Sequence, residues 1–391
     1  MISHQPILYL VYAIPERQLL CENGTSRRLD SLRGCFCSDF KIVDINLLGE
    51  QISFLDRCLI FILIAIGLNN FRYLFLARRL PQFSGNSTVL LTGIYSAFLG
   101  LMIRDIKVSI DLVDSLSLSD VRGIQSFWRC RPVYHFIQLP ISYIIEYLLL
   151  SSQHIKSVFV ATQAEQNWLQ KIHHKSKNLH VLSNSIFPQL DYRKFGQMSP
   201  YILPNTTYCL AFIGSLDWWV NRRMLIIALR LLDKFLRSQS RIKAIQLHIY
   251  GESTNQAVDA RGLHPELKAI QKGYFNNPST VYSENHAAFL PNSIGRGFQN
   301  KLFSCLAIGL PTIAHVSMNP LGRPPHDQQI GSCANPVLFC DSESDYMNAL
   351  LRVFLLDSDQ RLHVKQASHE FLHAFDQATQ TQFSSACNEI L

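Results

Sequence analysis

Short runs of β-branched and aromatic residues alternate with longer amphipathic stretches along the whole chain, and this alternation constrains the fold more than any other feature. A strand, a helix and a second strand close into a parallel pair with the helix crossing one face of the sheet. The sequence therefore predicts an α/β chain. In the first half the expected strands are Ile7–Tyr12, Lys41–Asn46, Thr88–Leu91, Lys107–Leu112, Ser157–Ala161 and Leu179–Leu182. Helices are expected near 26–36, 51–80, 93–102, 132–152 and 163–173. A second series follows: strands Tyr208–Ile213, Gln246–Tyr250, Thr280–Tyr282, Ala287–Leu290, Thr312–Ala314 and Val337–Phe339, a long helix over 222–237, and helix again from Glu343.

Between the two series, Phe187–Thr207 carries Pro188, Pro200 and Pro204 among polar residues. Proline discourages both helix and central strand, so this stretch reads as a linker. At 391 residues the chain also exceeds the ~250 at which a single core stops growing. The expected organisation is a first lobe over 1–190, a linker over 187–207, a second lobe over 208–375, and a tail over 376–391 that returns to the first lobe. Each lobe is expected to be a doubly wound parallel sheet. Such sheets bind ligands outside the carboxyl ends of their strands, so function is sought in a cleft between the lobes.

Composition excludes some classes. With 48% hydrophobic and 17% charged residues, the chain has ample material for buried cores. Its net charge is +7, but the Lys and Arg residues are scattered, and no basic stripe calls for nucleic acid. Residues 1–190 hold 18 Lys and Arg against 13 Asp and Glu, the remainder 18 against 16. The more basic first lobe suits peripheral contact with an anionic membrane. The ten cysteines form no CxxC and no zinc spacing, their closest pair being Cys35 and Cys37, which reads as reduced core thiols and a cytoplasmic setting without metal. The run Ile7–Ile14 lacks a preceding basic region and reads as a strand, not a signal peptide. Cys58–Leu68 is too short to span a bilayer. The strongly apolar Val133–Leu150 reads either as a core helix broken near Pro140 or as an interfacial helix.

The segment Pro291–Pro311, PNSIGRGFQNKLFSCLAIGLP, carries the clearest chemistry. A strand ending at Leu290 runs into a loop with Gly295 and Gly297, then a helix beginning near Phe298 with Lys301 in its first turn. Glycines let the backbone approach a ligand, and a helix N-terminus offers unpaired N–H groups with partial positive charge, so the arrangement suits an anion. On spacing alone, an ordinary strand-loop-helix connection fits equally. The pair His173-His174 lies among lysines and is expected to face solvent. His286 and His315 flank second-lobe strands and read as packed or hydrogen-bonded. Asp357-Ser358-Asp359 reads as a helix cap.

This segment resembles the donor-site segment of GT-B glycosyltransferases of the family-four type, in the branch with Gly-x-Gly-x-x-Asn-Lys and a later Gly-x-Pro. Phe212–Asn221 (FIGSLDWWVN) resembles the first strand and loop of that family's second domain, Leu247–Gly251 its second strand, and Pro336–Leu351 its closing strand and helix. In the first lobe, Asn23–Arg28 (NGTSRR) resembles the family's glycine loop, though a loop with a Ser/Thr helix cap fits too. Ser109–Ser115 resembles its cleft segment, where Asp114 either accepts the proton of an acceptor hydroxyl or caps the next helix.

The resemblance implies two Rossmann-like domains facing a cleft and transfer of a sugar, with retention and without metal, from a nucleotide sugar to a saccharide or lipid-linked acceptor. It needs no cofactor beyond that co-substrate. Implied donor residues are Gly214, Ser215, Asn221, Gly251, Gly295, Gly297, Asn300, Lys301 and Ser304. Implied acceptor-side residues are Gly24, Thr25, Arg28, Asp111 and Asp114, with Asp114 and Lys301 as the catalytic pair. The family's two glutamates fall on Arg296 and Ser304, and Val220 replaces the usual proline before Asn221. A hydroxyl binds a ribose less strongly than a carboxylate does. These departures leave open a second reading, a degenerate scaffold protein, and a third, a nucleotide-sugar epimerase.

Overall fold

The computed structural model describes residues 5–14, 24–48, 55, 58, 74–83, 87–104, 106–125, 132–173, 178–184, 207–217, 219–251, 262–273, 278–293, 300–319 and 335–390. The first half runs β1 Ile7–Tyr12, α1 Gly24–Phe36, β2 Lys41–Asn46, β3 Thr88–Thr92, α2 Ile94–Ala97, β4 Val108–Val113, α3 Leu116–Gln125, α4 Pro132–Ser151, β5 Ile155–Val160, α5 Gln163–Ile172 and β6 Leu179–Val181. The second half runs β7 Thr207–Ile213, α6 Trp219–Ser238, β8 Ala244–Tyr250, β9 Leu267–Gly273, α7 Pro278–Glu284, β10 Ala287–Leu290, α8 Asn300–Ile308, β11 Thr312–His315, β12 Val337–Cys340, α9 Glu343–Phe354 and α10 Ser358–Ile390.

The strands form two six-stranded sheets, ordered β2-β1-β3-β4-β5-β6 and β12-β11-β10-β7-β8-β9. Pairing is parallel throughout the described residues. Winding reverses between β1 and β3 in the first sheet and between β7 and β10 in the second. In doubly wound sheets such reversals mark where ligands bind, outside the carboxyl ends of the strands. The central strands are buried on both faces: β3, β4, β7 and β10 contain Leu90, Ile110, Leu210 and Phe289, each 0% exposed.

Two expectations fail here. Thr280–Tyr282, read as a strand, lies inside α7. Pro278 opens that helix, where its fixed φ and missing N–H are harmless, and Val281 and Tyr282 face the core on the helical period. Conversely, β9 was not expected, because LKAIQKG shows no apolar alternation. It is the edge strand of its sheet, and Lys268 and Lys272 are the charged side chains that protect such an edge. The helix expected over 93–102 is only α2 followed by a 3₁₀ turn, Phe98–Leu101. Of the 51–80 helix, the described part includes the 3₁₀ turn Leu74–Arg79, and most of Cys58–Leu68 and the linker lie outside the described residues.

The long α10 ties the two halves together. Over 33 residues, about 50 Å, its Leu372 packs in the second sheet's cluster, while Phe383, Ala386, Cys387 and Ile390 pack with α1 and β1 in the first. The Phe383 ring meets Phe36 edge-on at 5.9 Å. Gln382 accepts from the Ser183 N–H at 3.0 Å. Asp357 begins the helix by accepting from the Gln360 N–H at 2.8 Å, the cap expected of it.

Candidate functional site

On the second sheet, β7 and β8 end in glycines that touch. A Cβ on Gly251, whose φ is +145°, would stand 2.6 Å from the Gly214 carbonyl, and one on Gly214 would stand 2.8 Å from the Asn221 amide. Only bare backbone fits, and the closeness brings the Asn221 side chain under the first loop. Asn221 is 3% exposed; its Nδ2 donates to the Ser215 carbonyl at 2.8 Å, and its Oδ1 accepts from Lys301 Nζ at 2.8 Å.

Lys301 thus sits in the first turn of α8, the helix after β10 at the winding reversal. Burial pushes its pKa down to about 8, a shift opposed by Cys305 one turn away. Among the described residues its hydrogen-bond partner is a neutral amide, not a carboxylate. Lys301 is half-buried, and a partly desolvated ammonium with no counter-ion among the described residues is costly, a cost that a bound anion would relieve. Ser304 is nearly buried and its hydroxyl donates to the Asn300 carbonyl at 3.0 Å, turned back on its own helix. Asn300 opens α8, and Gly295 and Gly297 lie outside the described residues.

On the first sheet the decisive feature is the end of β4. Val113 has φ +64°, rare for a β-branched residue, and the Asp114 N–H donates to the Leu112 carbonyl at 2.7 Å, closing a strained three-residue turn. The register with β5 slips at the same place. The strand is thereby bent so that Asp114 lands among Glu165 and Arg122. Glu165 is buried; it caps α5 by accepting from Thr162 N and Oγ1, at 3.1 and 2.9 Å, and also accepts from Ser115 N at 2.9 Å. Burial, and then the charge of Asp114, raise its pKa. Burial lowers the Arg122 pKa, opposed by Glu165 and Asp114. The Arg122 charge also reaches across to His315 at the end of β11, whose pKa falls to about 4, mainly through burial.

The other acceptor-side residues divide. Arg28 and Asp111 are both 0% exposed and form a two-pronged ion pair at 2.7 and 2.9 Å. Arg28 also donates to the Leu182 carbonyl at 2.6 Å and to Asn184 Oδ1 at 3.1 Å. Every prong of the guanidinium is spent on holding α1, β4 and the end of β6 together, so neither side chain is left for a ligand. Gly24 opens α1, and the Thr25 side chain lies outside the described residues.

Three residues escaped the sequence reading. Glu165 was legible as the last residue of Thr162-x-x-Glu165, a capping box, but Arg122 and the backbone of Val113 carry no local signature. The histidines also need comment. His173 is 4% exposed, not solvent-facing, because Tyr143 and Tyr147 of α4 pack on its ring at 4.7 and 5.9 Å. His286 accepts at Nδ1 from the Cys209 N–H at 3.0 Å, and burial lowers its pKa to about 4, so it is a packed, neutral residue.

No family model and no curated protein matches the sequence. Solved structures do. Over 98% of the chain and 99% of theirs, it resembles WaaG, a glycosyltransferase involved in lipopolysaccharide biosynthesis, at a TM-score of 0.55 and 12% identity, and the trehalose-6-phosphate synthase OtsA at 0.62 and 11%. TarM is matched at a TM-score of 0.54 and 10% identity over 82% of the chain, which spans 58% of TarM's length. Taken with the two parallel sheets and their strand orders, these likenesses show that the chain has the GT-B fold.

Proposed function

We propose that the chain is a glycosyltransferase that moves a sugar from a nucleotide-sugar donor to a saccharide or lipid-linked acceptor. The observation that carries this reading is the half-buried Lys301 ammonium, held by the neutral Asn221 at the opening turn of α8 and beside the glycine ends of β7 and β8. A leaving diphosphate there would meet a cation and free backbone N–H groups as the glycosidic bond breaks. On the facing side, Asp114 would take up the acceptor hydroxyl's proton, with Glu165 and Arg122 setting its charge. The second lobe, 208–375, is the donor side and the first, 1–190, the acceptor side.

Retention of configuration and independence of metal belong to this proposal. Independence of metal is supported by Lys301 and the α8 N-terminus, which would offset the charge of a leaving diphosphate, and retention by the resemblance of the Pro291–Pro311 segment to the family-four type. Solved relatives of this fold include TarM bound to UDP and a trehalose-6-phosphate synthase bound with UDP-2-fluoro glucose, which favours a uridine donor. Calorimetry against a panel of nucleoside diphosphates tests the reading. Heat of binding with at least one of them, lost in Lys301→Ala, is the expected result. Silence with every member would return the chain to the scaffold reading, and conversion of a free nucleotide sugar without acceptor would favour an epimerase.

A further inference from the structure

α4 is built inside out. Its polar residues His135, Gln138, Ser142 and Glu146 are buried, each at most 3% exposed. Its large apolar residues Phe136, Ile137, Tyr143, Ile144, Tyr147 and Leu148 are 42–56% exposed. Three of the four, His135, Ser142 and Glu146, are satisfied by α3 and the residue before it. His135 Nδ1 and Ser142 Oγ meet the two oxygens of Asp120 at 2.9 and 2.6 Å, and Glu146 accepts from Ser115 Oγ, Leu116 N and Ser117 N at 2.9, 2.7 and 3.2 Å. The outward set falls on the helical period, 136/137, 143/144 and 147/148, with Pro140 exposed on the same face. Glu146 and His135 are the only acidic or basic residues in the helix and both are buried, so the exposed face carries no charge.

A surface helix in water normally shows the opposite pattern, and a contiguous apolar face of this kind marks a contact. Two occupants could cover it: a bilayer or a second copy of the chain. Area argues against the copy. At about half of roughly 200 Å² apiece, six such side chains expose about 600 Å², short of the roughly 800 Å² each partner of a standard interface buries. Charge argues for the bilayer. Tyr143 donates to the Ile172 carbonyl at 3.0 Å and its ring packs on His173, which fastens the stripe to the last turn of α5. Lys171 is exposed on that turn, and the sequence runs on into Lys175 and Lys177 without an acid between. An apolar stripe carrying tyrosines, with the exposed Lys171 beside it, is the composition that settles at the headgroup level of an anionic leaflet. The stripe from Phe136 to Leu148 is about 18 Å long, and no described helix is long and apolar enough to cross a membrane, so the contact is in-plane.

We infer that the exposed face of α4, from Phe136 to Leu148, is a docking surface on which the chain lies against an anionic lipid bilayer. Such a contact goes beyond sugar transfer and its readout is independent of it. The experiment is co-sedimentation of the full chain at low salt with vesicles rich in phosphatidylglycerol and, separately, with pure phosphatidylcholine vesicles. Wild type is expected to pellet with the first far more than with the second and to be released by salt. Ile144→Glu combined with Leu148→Glu should lower the bound fraction at least tenfold, while Ile144→Leu should leave it unchanged. Should the double variant misfold, Ile144→Trp gives a second readout: its fluorescence should be quenched by brominated phospholipid more than that of wild type. A wild-type chain that stays in the supernatant, or a tryptophan at 144 untouched by the brominated lipid, overturns the inference. So does a concentration-dependent dimer that the glutamates dissociate while vesicle binding persists, because the face would then belong to a second copy.

Discussion

Lys301 Nζ stands 2.8 Å from Asn221 Oδ1, so the cation at the opening of α8 is positioned by an amide that cannot neutralise it. Replacing that amide by a carboxylate is the sharpest probe of the site. Asn221→Asp should create an ion pair, raise the Lys301 pKa and withdraw the ammonium from an incoming diphosphate. Nucleoside diphosphate affinity should fall about 10–100-fold, alongside a modest drop in melting temperature from the lost bond to the Ser215 carbonyl. Equal affinity for the two proteins would detach Lys301 from anion binding.

The same lysine sets a pH dependence. With its pKa lowered to about 8, Lys301 is charged below that pH and neutral above it, so diphosphate affinity should be full near pH 7 and decline as pH rises through about 8. Stability moves the other way. Between about 8 and the ordinary 10.5 the unfolded chain binds the proton the folded chain has lost, so this group's contribution rises with pH. Titrations of binding and of unfolding across this range check both signs.

Arg28 and Asp111 separate structure from chemistry. Removing one partner strands a buried charge, so Arg28→Met or Asp111→Leu should cost about 3–5 kcal/mol, read by urea unfolding. Combining the two changes should recover most of that loss. A residue pair that bound acceptor would show lost turnover with stability intact.

Val113 reverses a common rule. In a strand, glycine is normally about 0.5–1 kcal/mol less stable than alanine. At φ +64° the order should invert, with Val113→Gly more stable than Val113→Ala by about 1 kcal/mol. Alanine proving the better replacement would mean that the turn is not held in the folded protein.

Glu146 supplies an acid-side signature. Burial lifts its pKa from 4.5 to about 7, against four hydrogen bonds that lower it. A raised carboxyl pKa stabilises the fold fully below the unfolded value and loses that contribution as pH climbs through the folded one. Stability should therefore decline between about pH 4.5 and 7, and Glu146→Gln should flatten that slope in pH-dependent denaturation.

The sheets were legible because buried parallel strands are short apolar runs, and eleven of the twelve strands, all but β9, lie within two residues of their expected places. β9 escaped because an edge strand needs only one apolar face and here is edged by lysines. Thr280–Tyr282 misled because three β-branched and aromatic residues fit a strand or one turn of a helix equally, and only Pro278 tips the balance. Within the candidate site, Lys301 could be singled out because it belongs to a continuous motif, whose glycines Gly295 and Gly297 lie outside the described residues. The role of Arg28 and Asp111 could not be read this way, because a sequence shows charges but not whether another charge far along the chain has already claimed them. Val113 was beyond reach for a related reason: nothing local to a valine announces a positive φ, which the surrounding sheet imposes.

The single rod of α10 has one further consequence. Anchored to the second sheet near Leu372 and to the first near Phe383, it couples two hydrophobic clusters through one continuous helix, so a substitution that loosens either anchor should weaken the attachment of the other. The first strand is thus held in part by side chains more than 300 positions downstream of it.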